Sequence, residues 1–244
     1  ERAKAVVARG FSALKFDPFP GPWRAYIGRR EEDAAVERVA AVREVVGPDV
    51  EILVEVHRRL APAQAIRVAA RLEPLRPYWY EEPVSARDLP GLALAKQGIR
   101  LPVVTGEELY TKNEFRDLFA QRAADIINPD VCVCGGILEL REIAAMADAH
   151  HIAVSPHNYN STGVGLAATV HAAAGMPNFL ITEYFVNFEQ VAQAICPNAL
   201  RPVAGMIPLP EAPGLGVALD EDALAEYAYR EFGSRRLPGP QDEM

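Results

Sequence analysis

Along the chain, short apolar runs alternate with stretches of helical periodicity. FSALKF (11–16), EILVEV (51–56), YWY (78–80), LPVVTG (101–106), ADIIN (124–128), HIAVSP (151–156) and FLITEYF (179–185) are dense in apolar residues, as strands covered on both faces are. Between them, apolar positions recur every three to four residues. Ala35, Val36, Val39, Val42, Val45 and Val46 mark a helix over 31–46, stopped by Gly47-Pro48. Pro62 suits the first turn of a helix running to about Leu72. Further helices are predicted over 86–97, 112–121, 136–150 and 163–174, and the opening ERAKAVVARG reads as one too.

Seven strand-like runs, each but the last followed by a helix, predict a parallel α/β sheet with right-handed crossovers. An open doubly wound sheet calls for G-x-G-x-x-G after the first strand, and none is present. The spacing fits a (β/α)₈ barrel better, with one strand expected before Glu1. Residues 1–194 then form the barrel. Residues 195–244, rich in Pro and Gly, break the alternation and read as an arm with a short helix. The absence of an initiating Met and the start inside a helix suggest a piece of a longer protein.

In such a barrel the chemistry sits at the C-terminal ends of the strands. Those ends carry Lys15 and Asp17, Glu55 and His57, Glu81 and Glu82, Glu107 and Glu108, Asp130, His157, and Glu183. Glu55, Glu81 and Glu107 are separated by 26 residues each, about one βα unit, which would bring three carboxylates together. Clustered carboxylates repel, and a hard cation such as Mg²⁺ resolves the conflict. Asp130 precedes His157 by 27 residues, again one unit, so it can orient that imidazole as a base. His57 shares a strand face with Glu55. Glu82 and Glu108 are expected to turn away or contact neighbours. Arg58 and Arg59 suit either a substrate carboxylate or surface ion pairs. Trp23 and Tyr26 suit substrate contact or packing, and Gly135-Gly136 a tight turn. His150, His151 and His171 fall on expected helices. Cys132 and Cys134 would share a face if they lay on a strand.

Composition narrows the classes. A formal net charge of −8 argues against nucleic acid as a partner. No apolar run reaches the roughly 18 residues that span a bilayer, so no membrane role is expected, and no signal peptide is visible. Three cysteines without a C-x-x-C pair fit a reducing, cytoplasmic setting. A zinc hydrolase would favour His-rich ligands such as H-x-H, whereas this chain offers carboxylates.

From KFDPF to PGLGVALDE the chain resembles the barrel domain of the enolase superfamily, in its mandelate racemase/muconate lactonizing enzyme branch. The resemblance implies Mg²⁺ on Glu55, Glu81 (in EEP) and Glu107 (in TGEE). It implies an Asp130–His157 base, in NPDVCVCGGI and SPHN, with Glu183 on the last strand. It also implies an N-terminal α+β capping domain, absent here along with the first strand, and homo-oligomers, which are common in the family. Racemases of the branch carry Lys-x-Lys where this chain has Lys15-Phe16-Asp17. KFDPF with a third-strand His57 is similar to sugar-acid dehydratases of the galactonate dehydratase type, although Glu55 stands where many relatives have Asp.

The implied reaction is loss of water from a small sugar acid, giving a 2-keto-3-deoxy acid. Lys15, Asp17, His57, His157 and Glu183 would meet the substrate. His157 would take the α-proton, and His57 would protonate the departing 3-hydroxyl. Epimerisation, racemisation or cycloisomerisation on the same scaffold is the nearest alternative, and a non-catalytic metal- and ligand-binding barrel is another.

Overall fold

The computed structural model describes residues 1–19, 27–228 and 231; Trp23 and Tyr26 lie outside them. Six parallel strands form one sheet in chain order: β1 Ala13–Phe16, β2 Glu51–Glu55, β3 Trp79–Glu81, β4 Val103–Thr105, β5 Ile126–Ile127 and β6 Ala153–Val154. The helices are α1 Arg2–Ala8, α2 Arg29–Val46, α3 Pro62–Leu72, α4 Leu89–Gly98, α5 Thr111–Ala120, α6 Val131–Cys134, α7 Ile137–Ala149, α8 Thr162–Ala173, α9 Glu189–Ile195 and α10 Glu221–Glu226. Among the described residues no helix is long and apolar enough to cross a membrane.

Strict alternation along each strand separates two cores. Ile52, Val54, Tyr80, Val103, Ile127 and Val154 face the helices and join the main core. Leu53, Trp79, Val104 and Ile126 form a second, inner cluster, with Ala13, Ala153 and Ile181 packed against it. One step of two residues further along five of the six inner faces, polar residues replace packing, and on β4 Val104 gives way to Gly106. Ala13 gives way to Lys15, Leu53 to Glu55, Trp79 to Glu81, Ile126 to Asn128 and Ala153 to Ser155. The apolar layer is thus the floor on which the polar layer stands.

Four sequence expectations are corrected. The run 179–185 is not a strand; it follows β6 through Leu180 N to Val154 O at 2.9 Å and Glu183 N to Pro156 O at 3.4 Å. Pro156 has no N–H to return a bond, so the ladder fails there. Helix α4 starts at Leu89 rather than Ala86, because the Asp88 side chain accepts from Gly91 N and caps it. Cys132 and Cys134 lie in α6, and His151 lies in the turn before β6 with φ 58°. Gly135 and Gly136, at φ 124° and 93°, make the expected turn into α7. The run 179–185 bridges the two ends of the sheet: beside β6 it also meets the β1 side, where Lys15 lies 3.3 Å from Glu183 and Phe11 stacks on Tyr184 with ring centroids 6.1 Å apart.

Candidate active site

Register explains how evenly spaced glutamates come together. Glu55 pairs with Glu81 directly across β2 and β3, but the residue opposite Glu81 on β4 is Val104. Glu107 therefore stands three residues further along β4, past Gly106. The chain turns inward there: Gly106 has φ 135°, and an added Cβ would come within 2.9 Å of Phe115. One oxygen from each of Glu55, Glu81 and Glu107 lies within 4.8 Å of the other two.

Glu55 and Glu107 each accept a hydrogen bond at one oxygen, and Glu81 at both. Glu81 accepts from Lys15 Nζ at 2.6 Å, Asn128 Nδ2 at 2.8 Å and Trp79 Nε1 at 2.8 Å. Glu55 Oε1 accepts from His57 N at 2.7 Å, and Glu107 Oε1 from Arg58 Nη1 at 2.7 Å. Burial raises the Glu55 carboxyl well above its usual range, and Glu81 adds to it. Burial also lifts Glu107, but His157 and Arg58 outweigh it and leave its carboxyl below the usual range. Burial disfavours the Lys15 charge, but Glu81, Glu183 and Glu55 outweigh it and raise the pKa well above the usual lysine range. Glu55 Oε2, Glu107 Oε2 and Asn128 Oδ1 are buried without a hydrogen-bond partner. Orphaned oxygens on a convergent, all-oxygen donor set suit a hard divalent cation.

Two histidines flank this cluster, one following β2 and the other following β6. His157 follows β6, and an isolated parallel bridge sets it opposite Asp130. Its Nδ1 lies 2.7 Å from Asp130 Oδ2, while Nε2 lies 3.3 Å from Glu107 and 3.6 Å from Glu183. Asp130 is steadied by Cys132 N at 2.7 Å. Burial opposes protonation of His157, but Asp130 and Glu183 overcome it and raise its pKa. Glu183 also sits 3.3 Å from Lys15 and accepts from Asn158 N at 3.2 Å.

His57 follows β2 at a left-handed turn, with φ 52°, and Arg58 continues it at φ 64°. Such backbone is costly for non-glycine residues and clusters at functional sites. His57 Nδ1 lies 2.8 Å from Asp17 Oδ2. Arg58 and Arg59 are not surface pairs. Arg59, 4% exposed, grips Asp17, and Arg58 joins Glu82, Glu107 and Glu108.

Sequence patterns do not single out Trp79 and Asn128, and they place Arg58 on a substrate carboxylate or in surface ion pairs rather than on the clustered glutamates. The first two were legible in principle, since each lies two residues before a singled-out acid and so shares its face. Nothing local marks Arg58. Glu82 turns outward at φ 47°, where Thr105 Oγ1 and Gly106 N donate to it at 2.7 and 2.9 Å. Burial and Glu107 push its carboxyl up to about 7. The folded state therefore holds this proton more tightly than the unfolded chain. Stability should fall as pH rises from 4.5 to about 7, by at most ~3 kcal/mol. Glu82→Gln is expected to remove that fall. Urea unfolding across this window, without added divalent ions, checks it, and parallel curves for both proteins would refute the assignment.

Comparison with known proteins yields one family and a consistent set of relatives. A family described as "Enolase C-terminal domain-like" matches residues 1–223. A D-gluconate dehydratase from Thermoproteus tenax is 37% identical over 228 residues, covering 93% of this chain and 46% of that protein. A D-galactarolactone cycloisomerase from Agrobacterium fabrum is 32% identical over 218 residues, covering 86% of this chain and 55% of that protein. A mandelate racemase/muconate lactonizing enzyme-like protein from Rubrobacter xylanophilus superposes with a TM-score of 0.87 at 39% identity, over 93% of this chain and 60% of that one. The chain thus spans about half the length of these curated relatives.

Proposed function

The chain belongs to the enolase C-terminal domain-like family, whose superfamily implies a divalent metal site, and from this premise we propose that it carries the barrel of a Mg²⁺-dependent sugar-acid dehydratase converting an aldonate to a 2-keto-3-deoxy acid. One observation carries the reading: two Asp–His pairs flank a three-carboxylate cluster that also holds a partly buried lysine. Relatives named as gluconate and mannonate dehydratases support it.

Glu55, Glu81 and Glu107 would hold Mg²⁺, whose charge would make the proton beside the substrate carboxylate easier to remove. Lys15 and Glu183, 3.3 Å apart, would bind that carboxylate and share the charge that develops on it. His157, its Nδ1 bound to Asp130, would take the α-proton at Nε2. His57 would give a proton to the departing 3-hydroxyl, and the enol left behind tautomerises to the 2-keto acid. Asp17 would serve the substrate through His57, since His57, Arg59 and Phe19 N engage both its oxygens. Residues 1–194 act as the barrel in this reading. The arm, 195–244, would pack against it, and one contact among the described residues supports this: His171 Nε2 lies 3.2 Å from Leu215 O. A reducing cytoplasm suits the three free cysteines.

The cycloisomerase relative supports a second reading, in which His57 acts as a second base or guides intramolecular attack. Incubating the complete enzyme with a panel of aldonates and Mg²⁺ in D₂O separates the two by product NMR. His57→Asn should block dehydration while α-deuterium still enters the substrate. Loss of both would overturn the assignment of His57 as the acid alone.

A further inference from the structure

The two Asp–His pairs are built differently. Asp130 offers its second oxygen to a backbone N–H. Asp17 instead sits in the fork of a buried arginine: Arg59 Nη1 donates to Oδ1 at 2.8 Å and Nη2 to Oδ2 at 2.6 Å. Phe19 N adds a bond to Oδ1 at 2.9 Å, and His57 Nδ1 completes the set at Oδ2. Arginine donates only, and its planar fork fixes a carboxylate in both position and rotation. The His57 backbone is pinned separately by Glu55 through its N–H.

We infer that Asp17 and Arg59 form a positioning pair that fixes which nitrogen of His57 meets the substrate, and so decide whether α-proton removal proceeds to loss of the 3-hydroxyl. Asp17 can only accept while ionised, so His57 Nδ1 must carry a proton whether the ring is neutral or charged. Nε2 is thereby the nitrogen that faces the reaction. Burial works against the Asp17 charge, but bonds from His57 and Arg59 outweigh it and hold its carboxyl below the usual range. This rests on the reading that His57 protonates the leaving group.

Asp17→Asn tests it with little change of shape. Arg59 Nη1 and Phe19 N would claim the amide oxygen at the Oδ1 position, while Arg59 Nη2 loses its acceptor. The amide NH₂ then faces His57 Nδ1, which must become an acceptor, and the tautomer reverses. In the intact enzyme, dehydration should fall on the order of 10²-fold or more. α-Deuterium exchange should fall far less than dehydration, by about threefold at most. The ¹⁵N shift of His57 Nδ1 should move from protonated to unprotonated. Arg59→Lys keeps the charge without the fork and should show a smaller loss of the same kind. Equal loss of exchange and dehydration would mean a merely structural role and overturn the inference, as would unchanged dehydration. If wild-type enzyme dehydrates no aldonate, the proposed function fails. The ¹⁵N shift then decides this inference alone, an unmoved signal overturning it.

Discussion

His157→Asn is expected to abolish turnover and α-proton exchange together, by roughly the 10²–10⁴-fold that a positioned base supplies. Asn keeps a polar group near Asp130 but cannot accept the substrate proton. The distances place the task on one atom: Nδ1 is committed to Asp130 at 2.7 Å, leaving Nε2 beside Glu107 and Glu183. Burial disfavours the imidazolium, yet Asp130 and Glu183 raise the His157 pKa above 6.5. A base must begin unprotonated, so kcat/KM should fall as pH drops through that raised value. Asp130→Asn should move the limb to lower pH and slow turnover, because it removes the strongest raising influence. Solvent-deuterium wash-in followed by NMR is the decisive measurement, since it sees proton removal without requiring dehydration. Wild-type exchange in His157→Asn would exclude His157 as the base.

Much of this site was legible in the chain because parallel sheets convert sequence spacing into neighbourhood. The 27-residue interval from Asp130 to His157 is the β5–β6 register itself, since Ile126 pairs with Ala153. The two equal 26-residue intervals between glutamates conceal different geometries. The first is a register, and the second is a register plus three residues that lift Glu107 past Gly106. No local pattern announces that offset, because it depends on how β3 and β4 slide when their helices pack. Nor does periodicity reveal the Asp17–Arg59 fork, which joins two loops across 42 residues. The last apolar run misled because residue type favours a strand, while Pro156, lacking an N–H, cannot continue the pairing that begins at Val154 and Phe179.

Adding Mg²⁺ to metal-stripped enzyme is expected to raise its unfolding midpoint, and Glu55→Gln to remove that response along with activity. Without a cation, Glu55 is buried beside Glu81 and its carboxyl is driven well above the usual range. Its Oε2 and that of Glu107 have no hydrogen-bond donor. A cation relieves both costs at once. At about 100 times its Kd, a ligand of the folded state adds ~2.7 kcal/mol, or roughly 5–10 °C for a domain of this size. The neutral Gln side chain removes the burdened anion, so the metal-free variant should unfold no earlier than metal-free wild type, and at pH 8 later. Stability and function therefore move in opposite directions at one atom. Binding the ion requires an ionised Glu55, so Mg²⁺ affinity should rise with pH as the proton is displaced. Thermal melts with and without EDTA, at pH 6 and pH 8, check every part of this. A Glu55→Gln variant that kept the Mg²⁺ shift would show that the ion binds elsewhere.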